Sequence, residues 1–234
     1  MSPNPISQSE GAVEAPTKSV ASPIEEIDSA TGRPKPKPEW KRLFFHAVAV
    51  SVAAYLCFVV DDPYWRGGLT IGSLILAVLY ELLRKTRFFR DKFNRLVRKH
   101  EVATRAASTD FLMAMAICAF AFSPRVAATA FLVTAFADPM ARLFGVYFGT
   151  LRWHKSNKTF EGSIGFLLVA FAVVTAFMRP TPAWPIAIAT AFIAAWVERH
   201  SNERICKTWF GPLRMPSDNA TIPLTVCILL AVFT

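Results

Sequence analysis

Residues 138–163 gather the side chains with the clearest chemistry in this sequence, and they lie between two apolar runs. Two carboxylates, Asp138 and Glu161, could hold Mg²⁺, which favours carboxylates, phosphate oxygens and water as ligands. Basic side chains neutralise phosphate, and glycines let a backbone approach a ligand closely. A helix N-terminus also presents unpaired N–H groups to an anion. We therefore predict a polyphosphate site at a membrane face, with these glycines and basic residues in it: Gly145, Gly149, Arg152, Lys155 and Lys158.

Other interpretations of the same residues stay open. A carboxylate near hydrocarbon is costly and therefore a functional candidate, although Asp138 could also be a simple charge at a helix end before Pro139. Gly145 and Gly149 are four positions apart, a spacing that also packs helices against each other. Ser156 or Asn157 could cap a helix that enters the following apolar run.

The spacing of these residues resembles the pattern D-x-x-A-x-x-x-G-x-x-F-G followed by K-[ST]-x-E-G-S of the polyprenol kinase family. That family includes dolichol kinase, phytol kinase and the CTP-dependent diacylglycerol kinases. The matching positions here are Asp138, Ala141, Gly145, Phe148 and Gly149, followed by residues 158–163. The resemblance implies an integral membrane enzyme that phosphorylates a lipid alcohol, with Mg²⁺ as cofactor and CTP as co-substrate.

The resemblance also implies roles for individual residues. Asp138, Lys158 and Glu161 would be catalytic, with Lys158 on the transferred phosphate and Glu161 on Mg²⁺ or the lipid hydroxyl. Asp138 would serve the metal and the nucleotide phosphates. Nucleotide or phosphate contacts would also come from Thr159, Gly162 and Ser163. The sequence departs from the family at Val146 and Thr150, where basic residues are usual, and this bears on nucleotide choice more than on reaction class.

Several positions outside residues 138–163 also look like family elements. Glu198 and residues 218–223 resemble an E … D-N-x-T-x-P element, which adds Asp218 and Asn219 to the predicted phosphate site, although this pair could instead cap a helix. Lys41-Arg42 with His46 resembles an R-K-x-x-H element, and His46 also fits an interfacial packing residue. Two further pairs are candidate site residues, although ion pairing along a helix explains them equally well: Glu81 with Arg84, and Arg98 with Glu101.

Composition indicates a membrane protein. The chain has 234 residues, of which 53 % are hydrophobic and 18 % charged, with a net charge of +9. The apolar runs are too long for an ordinary soluble domain. Basic residues lie between these runs, which argues against nucleic acid as a partner and favours an anionic lipid surface. The cysteine and histidine spacings indicate neither a zinc site nor a disulfide framework.

We predict an all-α, polytopic membrane bundle of about seven transmembrane helices behind a disordered N-terminal tail. Residues 1–38 are too poor in large apolar groups to fold and form the tail, and residues 39–234 form a membrane-embedded, lipid kinase-like domain. A tight loop around Pro63, Gly67 and Gly68 precedes the second span. The third and fourth runs, 108–122 and 126–137, are short for full spans and could stop partway, with the loop between them dipping inward. The predicted spans are 40–60, 69–83, 108–122, 126–137, 163–178, 183–197 and 221–234.

Seven spans place 23 of the 26 lysines and arginines on one side of the membrane. Because basic residues in short loops stay cytoplasmic, we expect the N-terminus and the active site to face the cytoplasm. Residues 84–107 place Phe89, Phe93, Leu96 and Val97 on one helical face, which predicts an amphipathic helix on an anionic lipid surface.

The sequence therefore favours a kinase that transfers a phosphoryl group from CTP, or another nucleoside triphosphate, to a polyprenol, dolichol, phytol or diacylglycerol. A cytidylyltransferase that makes a CDP-lipid is an alternative, although the usual phosphatidate cytidylyltransferase ending is missing. The other alternative is a membrane transporter or scaffold without catalysis. Transporters tend to place ionisable groups near the midplane, and these predicted spans lack charges at their middles.

Overall fold

The computed structural model of the chain describes residues 40–59, 62–86, 107–153, 158–178, 184–200 and 218–233. These residues are mostly helical, which confirms the predicted all-α class. The predicted N-terminal tail and nearly all of the predicted amphipathic helix lie outside the described residues. The described helices are α1 (Trp40–Val59), α2 (Pro63–Leu83), α3 (Ala107–Ala121), α4 (Pro124–Tyr147), α5 (Phe160–Phe177), α6 (Trp184–His200) and α7 (Asp218–Phe233).

Three of the described helices are long and apolar enough to cross a membrane. They correspond to Arg66–Leu83 in α2, Pro124–Tyr147 and Phe160–Phe177. Shorter apolar helices cover Leu43–Val59, Ser108–Ala121 and Asn219–Phe233. Many large apolar side chains point outward, including Phe44 and Phe120, which are 72 % and 75 % exposed. Contiguous exposed apolar surface of this kind indicates contact with a membrane or a partner.

Helix α4 is longer than the sequence predicted, and this corrects the position of Asp138. The apolar run at 126–137 was expected to end before Pro139, yet the helix contains this proline and continues to Tyr147. Proline removes one backbone donor, but neighbouring helices let membrane helices tolerate the loss. Asp138 is therefore inside a 24-residue helix rather than at its end.

Helix α2 also begins earlier than predicted. Residues 63–68 were expected to form a loop, but the helix starts at Pro63 and includes Gly67 and Gly68. The Tyr64 N–H donates to the Asp62 carboxylate at 2.8 Å, as an N-cap contact does. Proline is favoured at the first helical position because its missing N–H would have had no partner there. The local cap therefore outweighs the poor helix propensity of the two glycines.

Helix α4 is the centre of the packing. It contacts α1, α5 and α7, while α2 packs on α3 and α6 packs on α5 and α7. In the 18-residue apolar stretch of α4, 72 % of the residues are buried, against 11 % in the corresponding stretch of α2. Phe131, Val133 and Ala137 on α4 are fully buried in the core. The polar residues of α4 therefore lie in a protein interior, whereas most of α2 faces outward.

Helices α2 and α3 run antiparallel, as do α4 and α5, which defines two ends of the bundle. Arg66 at the start of α2 contacts the end of α3, and Glu81 near the end of α2 contacts Thr109 at the start of α3. Helices α4 and α5 cross from Gly145 beside Gly162 to Thr129 beside Met178. We call the end where α1, α3 and α5 begin and α2, α4 and α6 end the motif end, and the other the opposite end.

Candidate functional site

The connection between α4 and α5 is a short hairpin at the motif end. Arg152 and Thr159 form an isolated antiparallel bridge. The Trp153 N–H donates to the Lys158 carbonyl at 3.1 Å, and the Phe160 N–H donates to the Leu151 carbonyl at 2.8 Å. The hairpin therefore returns the chain directly from the end of α4 to the start of α5. Its tip at 154–157, which includes the predicted phosphate contact Lys155, lies outside the described residues.

Thr159 is the N-cap of α5. Its hydroxyl oxygen accepts from the Gly162 N–H at 3.2 Å, and its carbonyl accepts from the Ser163 N–H at 3.2 Å. The Phe160 N–H is bonded to the hairpin as well. These three N–H groups therefore already have partners within the chain. An anion at this end of α5 would have to rely on side chains rather than on these backbone donors.

The motif glycines lie in the contact between α4 and α5. A β-carbon on Gly145 would stand 2.9 Å from the Thr159 hydroxyl oxygen, and one on Gly162 would stand 2.7 Å from the Ala141 carbonyl oxygen. A β-carbon on Gly149 would meet the Gly145 carbonyl and the Thr159 methyl group. The approaches at Gly145 and Gly162 are between α4 and α5, which is the packing role that the spacing also allowed, whereas the closest approach of Gly149 is to the end of its own helix.

Glu161 joins the start of α5 to the base of the hairpin. One carboxylate oxygen accepts from the Thr150 hydroxyl at 2.5 Å and from the N–H groups of Thr150 and Leu151 at 2.9 and 3.0 Å. Thr150, one of the departures from the family pattern, is thus the main partner of the motif glutamate. A carboxylate that accepts several hydrogen bonds holds its donors in place. Here Glu161 fixes the turn that follows α4.

Lys158 makes a contact across helices with the last turn of α6. Its ammonium nitrogen is 2.6 Å from a carboxylate oxygen of Glu198 and also bonds the Glu198 backbone carbonyl. The Glu198 side chain is 8 % exposed and that of Lys158 is 23 % exposed, so the pair is largely shielded from solvent. The sequence indicated both residues as candidates, but nothing in their spacing indicated that they would pair.

Sequence reasoning missed Arg199 and Trp153, which make further contacts between the end of α6 and the hairpin. The Arg199 guanidinium carbon is 3.7 Å from the centre of the Trp153 ring. The Trp153 indole N–H donates to the Ser163 hydroxyl at 3.1 Å, and its ring lies 5.1 Å from that of Phe160. The sequence did contain a signal for these contacts: Arg199 directly follows Glu198, and Trp153 lies before Lys158 in the same hairpin. Ser163, whose role as a phosphate contact stays a prediction, accepts the hydrogen bond from Trp153.

Asp138 faces a different helix. It is 7 % exposed, and its carboxylate oxygen is 4.0 Å from the imidazole Nε2 of His46 on α1. The sequence placed both residues among its candidates and left open a packing role for His46. The structure brings the two together at the contact between α1 and α4.

The three predicted catalytic residues therefore have three separate sets of partners. Asp138 faces α1, Lys158 faces α6, and Glu161 faces the turn at residues 150–151. Among the residues that the structure describes, no group of three or more His, Cys, Asp or Glu side chains is placed to hold a metal ion. The predicted Mg²⁺ pair of Asp138 and Glu161 stays a prediction.

A second polar cluster lies where α2 ends and α3 begins. Glu81 forms an ion pair with Arg84 one turn later and accepts from the Thr109 hydroxyl at 3.0 Å. This is the i,i+3 pairing that the sequence left open beside a functional role. Asp110, which the sequence reasoning missed, is buried next to Thr109. Its signal was a carboxylate just inside an apolar run.

The remaining predicted site residues are placed as follows. Arg152 belongs to the hairpin and is exposed. Asp218 and Asn219 are the first two residues of α7, which agrees with the helix-start interpretation that the sequence left open. Arg98 and Glu101 lie outside the described residues.

Comparison with known proteins finds no match: no family model matches the sequence, and no curated protein or solved structure matches it. The similarity to polyprenol kinases therefore rests on the motif residues alone.

Proposed function

We propose that the chain is a membrane-embedded kinase that transfers a phosphoryl group from CTP, or another nucleoside triphosphate, to a lipid alcohol. The observation that supports this most is the distribution of buried charge. Four charged side chains are buried among the described residues: Arg84, Asp110 and Glu198 at the motif end, and Asp138 in the half of α4 nearer to that end. Buried charges in an apolar bundle are costly, so they mark functional positions by default.

The proposal includes a topology. All seven described helices would span the bilayer, and the motif end would face the cytoplasm together with the N-terminus. The uneven distribution of lysine and arginine supports this orientation. Single cysteines in a cysteine-free background should react with an impermeant maleimide from the cytoplasmic side at position 152. Reaction at position 152 only from the other side would contradict the proposed orientation.

The chemistry would depend on placing charge beside a lipid hydroxyl. Phosphoryl transfer requires mainly positioning and neutralisation of the phosphate oxygens, with little covalent chemistry from the protein. Lys158 would neutralise the transferred group, and the exposed side chain of Arg152 would attract the nucleotide. A lipid alcohol keeps its chain among the apolar helices and presents its hydroxyl at their polar end. The motif end is where these two requirements meet.

The decisive experiment is a transfer assay with purified protein in lipid nanodiscs. CTP, ATP, GTP and UTP, each labelled at the γ-phosphate, are tested with and without Mg²⁺ against a polyprenol, phytol and diacylglycerol. We expect one alcohol to become labelled, and Lys158→Met to lower kcat at least about 100-fold, as loss of a group that stabilises transition-state charge does. Arg125→Met, which removes a cation at the opposite end, should leave kcat unchanged.

Two other outcomes would assign the protein differently. In a parallel assay with a lipid phosphate and CTP labelled at the α-phosphate, formation of a labelled CDP-lipid with release of pyrophosphate, and no transfer to any alcohol, would identify a cytidylyltransferase. A second candidate function, a membrane protein without catalysis, is favoured by the internal partners of Lys158, Glu161 and the first N–H groups of α5. That candidate would be favoured if no nucleotide labelled any alcohol and if the Lys158→Met variant still complemented loss of the wild-type protein in cells.

A further inference from the structure

The last turn of α6 holds the motif hairpin at two adjacent residues. Glu198 holds Lys158 through both its carboxylate and its backbone carbonyl, and Arg199 lies over the ring of Trp153. Lys158 and Trp153 are opposite each other in the hairpin, joined by the backbone hydrogen bond from Trp153 to Lys158. The two contacts therefore attach both strands of the hairpin to the end of α6.

The ion pair restricts where the lysine ammonium can stand. A lysine side chain has four rotatable carbon–carbon bonds, and in solvent its ammonium samples a wide volume. Glu198 is 6 % exposed, so its carboxylate requires a cation close by. Two acceptors from the same residue, one carboxylate and one carbonyl, fix the ammonium against a rigid helix end. A fixed ammonium meets the same point beside the start of α5 in every molecule.

We propose that Glu198 is a positioning residue that sets the place of the Lys158 ammonium for the transferred phosphoryl group, with Arg199 supporting it through Trp153. This inference rests on the proposed kinase function. Glu198 does not itself contact the phosphate; it acts through Lys158. Loss of its charge therefore affects the rate of transfer rather than the binding of the lipid.

The test is a double-mutant cycle on the kinetics, with Glu198→Gln, Lys158→Met and the double variant. Glutamine keeps the shape and the backbone carbonyl but removes the charge. We expect Glu198→Gln to lower kcat about 10- to 100-fold, the range that a misplaced reacting group produces. KM for the lipid alcohol should stay unchanged. In the Lys158→Met background the same substitution should change kcat less than about twofold, because residues that act as a unit are non-additive.

Matched variants separate positioning from stability. Glu198→Asp, which restores the charge on a shorter side chain, should recover part of the lost kcat. Arg66→Met weakens the opposite end without touching the hairpin, so its kcat should equal that of the wild type below its unfolding temperature. Arg199→Lys should also lower kcat, since a lysine stacks poorly on an indole ring. The loss should be smaller than for Glu198→Gln, because Arg199 acts on Lys158 only through Trp153.

The outcomes distinguish the two proposals. If the wild type transfers phosphate but Glu198→Gln lowers kcat by the same factor in both backgrounds, Glu198 acts independently of Lys158 and the positioning role is wrong. A Glu198→Gln variant with wild-type kcat would also overturn it. If the wild type phosphorylates no alcohol, the kinase proposal itself fails. A coupled cycle in an active enzyme supports both.

Discussion

Lys158 at the motif end and Arg66 at the opposite end are cations that both bond the carbonyl groups of a helix C-terminus. The Arg66 guanidinium donates to the Ala119 carbonyl at 3.1 and 3.2 Å and to the Phe122 carbonyl at 2.6 Å, where α3 ends. Lys158 bonds the Glu198 carbonyl where α6 ends, and in addition pairs with the Glu198 carboxylate. The difference between the two sites is one buried negative charge.

This difference separates two uses of charge in an apolar bundle. The last carbonyl groups of a helix have no partner within the helix, and a basic side chain can satisfy them. The described hydrogen bonds of the Arg66 side chain do this and nothing more. At the motif end a carboxylate is buried beside the cation, which a cap does not require. Buried ion pairs give little net stability, which agrees with the positioning role that we propose for Glu198.

The substitution with the largest expected effect on stability tests whether Lys158 and Glu198 form a buried ion pair. Lys158→Met should lower the free energy of unfolding by about 3 kcal/mol, because it leaves the Glu198 carboxylate buried without its cation. Adding Glu198→Gln to this variant should recover most of the loss. Thermal unfolding in detergent measures both. A double variant that is no more stable than Lys158→Met would show that the charge of Glu198 was not the cause.

The next effect compares glycines near the two ends. Gly162→Ala should destabilise by about 2 kcal/mol, because overpacking against a backbone carbonyl forces α4 and α5 apart. Gly68→Ala, near the opposite end, is the matched control, since a β-carbon there meets no atom within 4 Å. It should stabilise α2 by up to about 1 kcal/mol through better helix propensity. Equal effects of the two substitutions would contradict the close packing at the motif glycines.

A smaller effect is expected for the cap at the opposite end. Arg66→Met should cost about 1.5 kcal/mol, as loss of hydrogen bonds from a charged donor does. Arg66→Lys should recover part of this, since one ammonium cannot reproduce the fork of the guanidinium. Unfolding measured at low and high salt should show similar losses, because the partners are carbonyl groups without net charge. A strong salt dependence would indicate an acidic partner that the described contacts do not include.

The smallest effect concerns the start of α5. Thr159→Ala should cost about 1 kcal/mol, because the Gly162 N–H loses its side-chain acceptor. Thr159→Ser retains the hydroxyl oxygen and should remain close to the wild type. Unfolding in detergent compares the two variants. If alanine and serine behave alike, the hydroxyl does not cap the helix in the folded protein.

The sequence was most informative where a local pattern decides the structure. Each predicted apolar run overlaps a helix of the structure. The bounds were wrong where local rules compete: Pro139 was expected to end a helix that continues to Tyr147, and Gly67 and Gly68 were expected in a loop that is helical. Surrounding helices tolerate the proline, and a cap from Asp62 starts α2 ahead of the glycines. Neither compensation is visible in a short sequence window.

By itself the sequence determined where the apolar helices lie and which polar residues flank them. Hydrophobic runs and flanking charges are local properties of the chain. The tertiary structure alone decided the partners: Lys158 with Glu198, Asp138 close to His46, and Glu161 with Thr150. Partner choice depends on which helices become neighbours and how far each is rotated about its axis. That is fixed by packing between segments distant in the chain, where the glycines of α4 and α5 set how closely two backbones approach.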